Sequence, residues 1–235
     1  MALPKLNDAP TYEMKIPSTG KSVVYRPFLV KEQKNLLIAF EAQNRHDLVR
    51  AVIRTIEACV EEPISGSLTT FDVDYMFTKI RAKSVGEIAD ILIPCEECSV
   101  DNEVKVELDE VEVKGDLPEM VIPITEEISV KMKFPTYEEF LANQILLDSK
   151  TTTEALLQLI VTCLDSVMTE EEKFAIKDEP QEEIIDFLES MTTEQFGNVS
   201  AFAGSIPALT QDLEFVCTSC GHNNKKTLKG LDDFF

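Results

Sequence analysis

Four of the six cysteines fall in two Cys-x-x-Cys pairs, Cys95 with Cys98 and Cys217 with Cys220, 122 positions apart. Nothing else in the chain constrains its fold as much. Two cysteines at this spacing turn both sulfurs inward on one tight knuckle and supply half of a tetrahedral thiolate site. Two such knuckles complete a four-cysteine zinc site with Zn–S distances near ~2.3 Å. Gly221 follows the second pair and suits the positive backbone angle of such a turn, whereas Ser99 holds that place after the first. Strand-like sequence flanks both knuckles, at residues 88–93 and 104–113 around the first and at 213–216 and 225–231 around the second. The expectation is one structural zinc held by Cys95, Cys98, Cys217 and Cys220, with no open position for catalysis. Three alternatives stay open: pairs that bind no metal, a reversible disulfide within each pair, or a separate metal at each pair with outside ligands. For the last, His222 stands two residues after Cys220. A thioredoxin-like redox pair would sit at a helix start rather than in a hairpin.

The order of elements repeats along the chain. Strand-like sequence ends at Pro27 and again at Pro135, after the alternating run from Ile128 to Phe134. Apolar residues at helical spacing follow in each half, at 30–44 and 46–60, then at 137–147 and 153–168. The second helix of each half carries one cysteine, Cys59 or Cys163, in its apolar stripe. Both are read as small buried core residues. A Thr-Thr step starts a further helix in each half, at Thr69-Thr70 and Thr192-Thr193, and strand, Cys-x-x-Cys and strand close each half. Cys163 lies 104 positions after Cys59, so the second half holds about 18 extra residues before its knuckle, assigned to the acidic segment around 173–189. The predicted fold is α+β, an internal duplication of two pseudo-equivalent lobes, each with an N-terminal strand, helices and a zinc-ribbon-like hairpin tipped by Cys-x-x-Cys. The expected boundaries are an N-terminal extension at 1–17, a first lobe at 18–113, a linker at 114–125 and a second lobe at 126–235.

The net charge of −21 argues against nucleic acid, since phosphate neutralisation needs clustered Lys and Arg and only Lys225-Lys226 are adjacent. The acidic surface serves solubility and steering toward basic partners. The opening residues lack the apolar core of a signal peptide, and no apolar run reaches the roughly 20 residues of a membrane span. A cytosolic setting follows, where paired cysteines read more readily as metal ligands than as disulfides. Phosphate-loop, dinucleotide, nucleophile-elbow and zinc-protease motifs are all missing, and the chain has only two histidines, His46 and His222. Acidic pairs such as Glu138-Glu139 and Glu182-Glu183 lie on amphipathic helices, where solvated faces explain them. The expectation is a binding or scaffold protein and not an enzyme.

Several stretches resemble one family. Leu3-Pro-Lys-Leu, Pro10-Thr-Tyr, Pro17-Ser-Thr-Gly20-Lys and Tyr25-Arg-Pro-Phe28-Leu-Val-Lys-Glu32 are similar to the baseplate hub and hub-assembly proteins of T-even-like contractile-tailed phages, whose hallmark is the Arg26-Pro27-Phe28 tripeptide. Phe71-Asp-Val-Asp-Tyr-Met-Phe77, the run from Lys79 to Glu87, the knuckle at Cys95 and Cys98, and the closing Leu228-Lys-Gly-Leu-Asp-Asp-Phe-Phe extend the resemblance over most of the chain. It implies assembly of the tail baseplate hub through contacts with other tail proteins, either as a chaperone-like factor in the host cytoplasm or as a hub subunit retained in the virion. A zinc-ribbon regulator of host machinery is the alternative from another class, and a Cys-x-x-Cys redox enzyme a third. Arg26, Pro27 and Phe28 are candidates for the family's partner-binding surface. The other reading of these three is a strand-to-helix corner with Pro27 setting the turn.

Overall fold

The computed structural model describes residues 9–42, 44–64, 67–115, 118–143 and 153–234. They form two compact units, Met1–Lys114 with Ala208–Phe235, and Gly115–Pro207.

The first unit opens with an antiparallel hairpin, β1 (Tyr12–Lys15) and β2 (Ser22–Tyr25), paired from Tyr12↔Tyr25 to Lys15↔Ser22. Alternation puts Met14, Val23 and Tyr25 inside. Helix α1 (Val30–Glu41) starts where the Glu32 carboxylate accepts the Leu29 N–H at 2.9 Å. Helix α2 (Arg45–Cys59) is capped by Asn44, and its chain returns to the hairpin through a bridge from Val60 to Tyr25. Helix α3 (Thr70–Val85) has a full capping box: Thr69 accepts the Asp72 N–H, and buried Asp72 accepts the Thr69 N–H. Strands β3 (Ile88–Pro94) and β4 (Asp101–Glu107) form a second hairpin. Strand β5 (Glu112–Lys114) then pairs with β10 (Ala208–Val216), which pairs with β11 (Asn223–Lys229). Ala82, Ala89, Ile93, Val106, Leu108, Val111, Leu209, Leu228 and Phe234 make a core drawn from α3, both hairpins and the chain's end.

The second unit is a four-stranded antiparallel sheet, β6 (Val121–Pro123), β7 (Ser129–Met132), β8 (Leu164–Met168) and β9 (Lys173–Ala175), in that order. Helix α4 (Tyr137–Ala142) begins with the Thr136–Glu139 capping box and α5 (Thr153–Cys163) runs directly into β8. A 3-10 turn (Ile176–Asp178), α6 (Gln181–Glu189) and α7 (Thr193–Gly204) complete it. The core gathers Val130, Met132, Ile160, Cys163, Leu164, Ile184, Leu188, Val199 and Phe202.

The α+β class is as expected, and the two halves share local geometry in detail. Arg26 N–H donates to Cys59 O at 2.9 Å, and Lys133 N–H donates to Cys163 O at 2.7 Å. Each cysteine ends its helix, and the next residue pairs back onto the second strand of a hairpin, Val60 on Tyr25 and Leu164 on Met132. Arg26 pairs with Glu32, and Lys133 pairs with Glu139. The β3–β4 register, Ile88↔Glu107 to Pro94↔Asp101, returns at one constant spacing as Thr210↔Lys229 to Val216↔Asn223 in β10–β11.

Three expectations need adjusting. The compact units cut the chain differently from lobes at 18–113 and 126–235. Ala208 pairs with Lys114, so the C-terminal hairpin adds to the sheet of the first unit, and β6 occupies part of the expected 114–125 linker. The helix expected to reach residue 168 ends at Cys163, because Leu164–Met168 finds strand partners on both sides in β7 and β9; tertiary pairing overrides helical spacing there. The strand expected at 104–113 is broken by a turn after Glu107. The end of the helix expected at 137–147 falls outside the described residues.

Candidate metal centre

The two Cys-x-x-Cys sequences connect β3 to β4 and β10 to β11, and the two connections are built alike. Cys95 N–H donates to Val100 O at 2.9 Å and Ser99 N–H to Cys95 O at 2.9 Å. Cys217 N–H donates to His222 O at 2.8 Å and Gly221 N–H to Cys217 O at 3.0 Å. Closing the turn this way needs a left-handed residue after the second cysteine, which is Ser99 (φ 56°) in one knuckle and Gly221 (φ 74°) in the other. Ser99 is the one non-glycine residue with positive φ among the described residues.

The knuckles face each other within the first unit. Cys95 Sγ lies 3.7 Å from Cys220 Sγ, Cys98 Sγ lies 3.6 Å from Cys217 Sγ, and all four sulfurs lie within 4.8 Å of one another. These separations exceed a disulfide bond, which is ~2.05 Å. A regular tetrahedron of sulfurs around a metal at ~2.3 Å has edges of about 3.8 Å. The four cysteines can therefore hold one metal ion. The His222 imidazole is not in the cluster; its backbone carbonyl serves the turn instead.

Two asparagines lock the knuckles across the site. Asn102 is the second residue of β4 and is buried; its Oδ1 accepts the N–H of Thr218 at 2.8 Å and the Thr218 hydroxyl at 3.0 Å. Its amide donates to Val100 O at 2.8 Å and lies 3.7 Å from Cys217 Sγ. Asn224 is buried at the corresponding place in β11. Its Oδ1 accepts the Glu96 N–H at 2.9 Å, and its amide donates to His222 O at 3.1 Å and supports Cys95 Sγ. Each hairpin thus caps the other's knuckle, by reciprocal bonds.

Backbone amides tune the sulfurs. The Cys220 N–H brings the Cys217 thiol down to about 6 against the opposing effect of burial, with help from the Ser219 N–H. The Cys98 N–H lowers Cys95 in the same way, with help from Glu97. The His222 N–H favours the Cys220 thiolate, yet bonds to the Cys98, Cys217 and Cys95 sulfurs together with burial push that thiol up to about 12. Four close sulfurs resist ionising together unless a cation joins them.

The other sequence candidates lie elsewhere. Cys59 and Cys163 are buried helix ends, and burial raises their thiols to about 11 and about 12. Arg26 reaches inward: it donates to Pro27 O at 2.9 Å, Ala58 O at 2.8 Å and Glu32 Oε1 at 3.1 Å. Phe28 N–H donates to the Ser84 hydroxyl at 2.9 Å. These contacts tie the corner between β2 and α1 to α2 and α3. Sequence reasoning missed Asn102 and Asn224, although the signal was present: an Asn stands four residues after the second cysteine of both pairs.

Among the described residues no helix is long and apolar enough to cross a membrane. No curated protein and no solved structure matches the chain. A family model described as T4 bacteriophage base plate protein matches residues 9–235, nearly the whole length, and the chain belongs to that family.

Proposed function

We propose that the protein serves assembly of the phage tail baseplate hub by binding other tail proteins, acting as a chaperone-like factor in the host cytoplasm. Membership of the baseplate family carries this reading. Its action is contact rather than chemistry: four thiolates around one ion leave no coordination position for a substrate. The ion proposed is a single structural zinc, supported by sulfur separations of 3.6 and 3.7 Å and by an all-thiolate ligand set. Cys95, Cys98, Cys217 and Cys220 would hold it and so join hairpins far apart in sequence. Arg26, Pro27 and Phe28 take the corner role, with Arg26 spent on internal acceptors.

An internal duplication accounts for the shared geometry of the halves. Under it, β1–β2–α1–α2 corresponds to β6–β7–α4–α5, α3 to α7, and β3–β4 to β10–β11. The second copy carries β9, the 3-10 turn and α6 as an insertion.

Counting copies of the chain in purified mature tails by quantitative mass spectrometry tests the assembly role. The chaperone-like reading expects the protein in infected cells and not in particles, with hub formation failing when its gene is silenced. A stoichiometric count in particles would replace it with a retained hub subunit. Normal tails formed without the protein would end both.

A further inference from the structure

The two helix pairs that correspond under the repeat reading differ in what covers them. In the second half, the groove between α4 and α5, lined by Glu139, Ala142, Gln158 and Thr162, has a third wall from the inserted segment: Lys173, Ala175, Ile176, Lys177 and Gln181. Gln181 lies 3.4 Å from Gln158, and Ile184 and Leu188 of α6 enter the core beside Ile160. That segment, residues 173–189, is acidic and amphipathic, with six carboxylates against two lysines.

In the first half the corresponding groove, with Glu32, Asn35, Arg54 and Ala58 at equivalent places, is lined among the described residues by α1, its C-cap Ala42 and α2. Of the exposed apolar residues of α1, Ile38 (54% exposed) lines this groove, beside Ala42, Ala51 and Ala58, whereas Val30, Leu37 and Phe40 stand on other faces of the helix. The charge here also departs from the rest of the chain. From Arg26 to Arg54 there are six basic and three acidic residues, in a chain of net charge −21. Arg50 and Arg54 line the groove, are exposed, and pair with no carboxylate among the described residues.

We infer that the open α1–α2 face receives an acidic amphipathic helical segment of another tail protein, which supplies the third wall that the inserted segment supplies in the second half. Its apolar side covers Ile38, Ala42, Ala51 and Ala58, and its carboxylates meet Arg50 and Arg54, the helix-in-groove mode of recognition. The inference rests on the repeat reading and on the tail-assembly role.

The test places a photo-crosslinking residue at Ile38 or at Ala42 of the full chain in infected cells, with Leu92, exposed on β3, as the control position. Crosslinked peptides are then sequenced by mass spectrometry. The expected product is one segment of another tail protein, net negative and with helical apolar spacing, absent from the Leu92 control. Arg50→Glu with Arg54→Glu should cut its yield at least tenfold while leaving the melting temperature within about 2 °C. Adducts to lipid, to nucleic acid, to a second copy of this chain or to a segment without net negative charge would overturn the inference, as would no adduct. An acidic amphipathic segment of a host protein would keep the groove and remove the tail-assembly role. No adduct in cells where hub formation still depends on this protein would remove the groove alone.

Discussion

Replacing Asn224 with Ala tests how the two hairpins are held together. Asn224 is 2% exposed, and its Oδ1 is the acceptor for the Glu96 N–H of the opposite knuckle. Truncation strands that N–H and removes an amide that supports Cys95 Sγ, while His222 O keeps its bond from Cys217 N–H. A buried donor left without a partner costs about 1–3 kcal/mol, and the small void adds about 1 kcal/mol. The sum, about 2–4 kcal/mol, is a large share of the roughly 5–15 kcal/mol that a domain has. At about 2–4 °C per kcal/mol for a unit of this size, the melting transition should fall by about 4–16 °C. Loss of a bond to a ligating sulfur should also weaken metal affinity about 10–100-fold. Far-UV circular dichroism melts of the full chain and zinc competition against a chromophoric chelator read the two effects. Asn102→Ala should match Asn224→Ala, because its bonds repeat the same pattern. Asn224→Asp keeps the acceptor for Glu96 but sets a carboxylate among thiolates, so it should recover part of the metal-free stability and none of the affinity. A change below about 1 °C with unaltered affinity in both Ala variants would refute the reciprocal lock.

Three further outcomes follow from the same geometry. Ser99→Gly should stabilise the first knuckle by about 1 kcal/mol, because φ 56° penalises any side chain; a lower melting temperature would speak against the turn geometry. Burial alone would raise Glu32, but the Leu29 N–H and then Arg26 and Lys31 bring its pKa below the usual range. Its stabilisation is therefore full above about pH 4.3 and lost as pH falls through the lower folded value. Arg26→Met should move acid unfolding to higher pH, and coincident acid titrations would contradict this. Burial lifts the Cys59 and Cys163 thiols to about 11 and about 12, so iodoacetamide at pH 8 should spare both in the native protein and label them after denaturation; native labelling would place them at the surface.

Much of the site was legible because it depends on local spacing. A Cys-x-x-Cys flanked by strand sequence has few ways to fold, and both knuckles occur where expected. The Thr69 and Thr192 helix starts were legible for the same reason, since a cap and its partner three residues on are local. What escaped the sequence depends on distant partners. Leu164–Met168 reads as helix until β7 and β9 offer it hydrogen bonds, and β10 reads as part of a second lobe until β5 supplies its edge. Asn102 and Asn224 looked like ordinary strand-start residues, because their work lies across the site on the opposite chain segment. Arg26 shows the reverse case: an Arg-Pro-Phe motif suggests a surface, and the guanidinium turns inward to the end of α2.

The most direct test of the central claim, that two corresponding hairpins close on one metal, is native mass spectrometry of the full chain purified without added zinc or chelator. One zinc per chain is expected, lost together with the folded first unit in Cys98→Ser and in Cys220→Ser alike. No zinc, two zinc ions per chain, or one ion retained at full affinity after either substitution would contradict it.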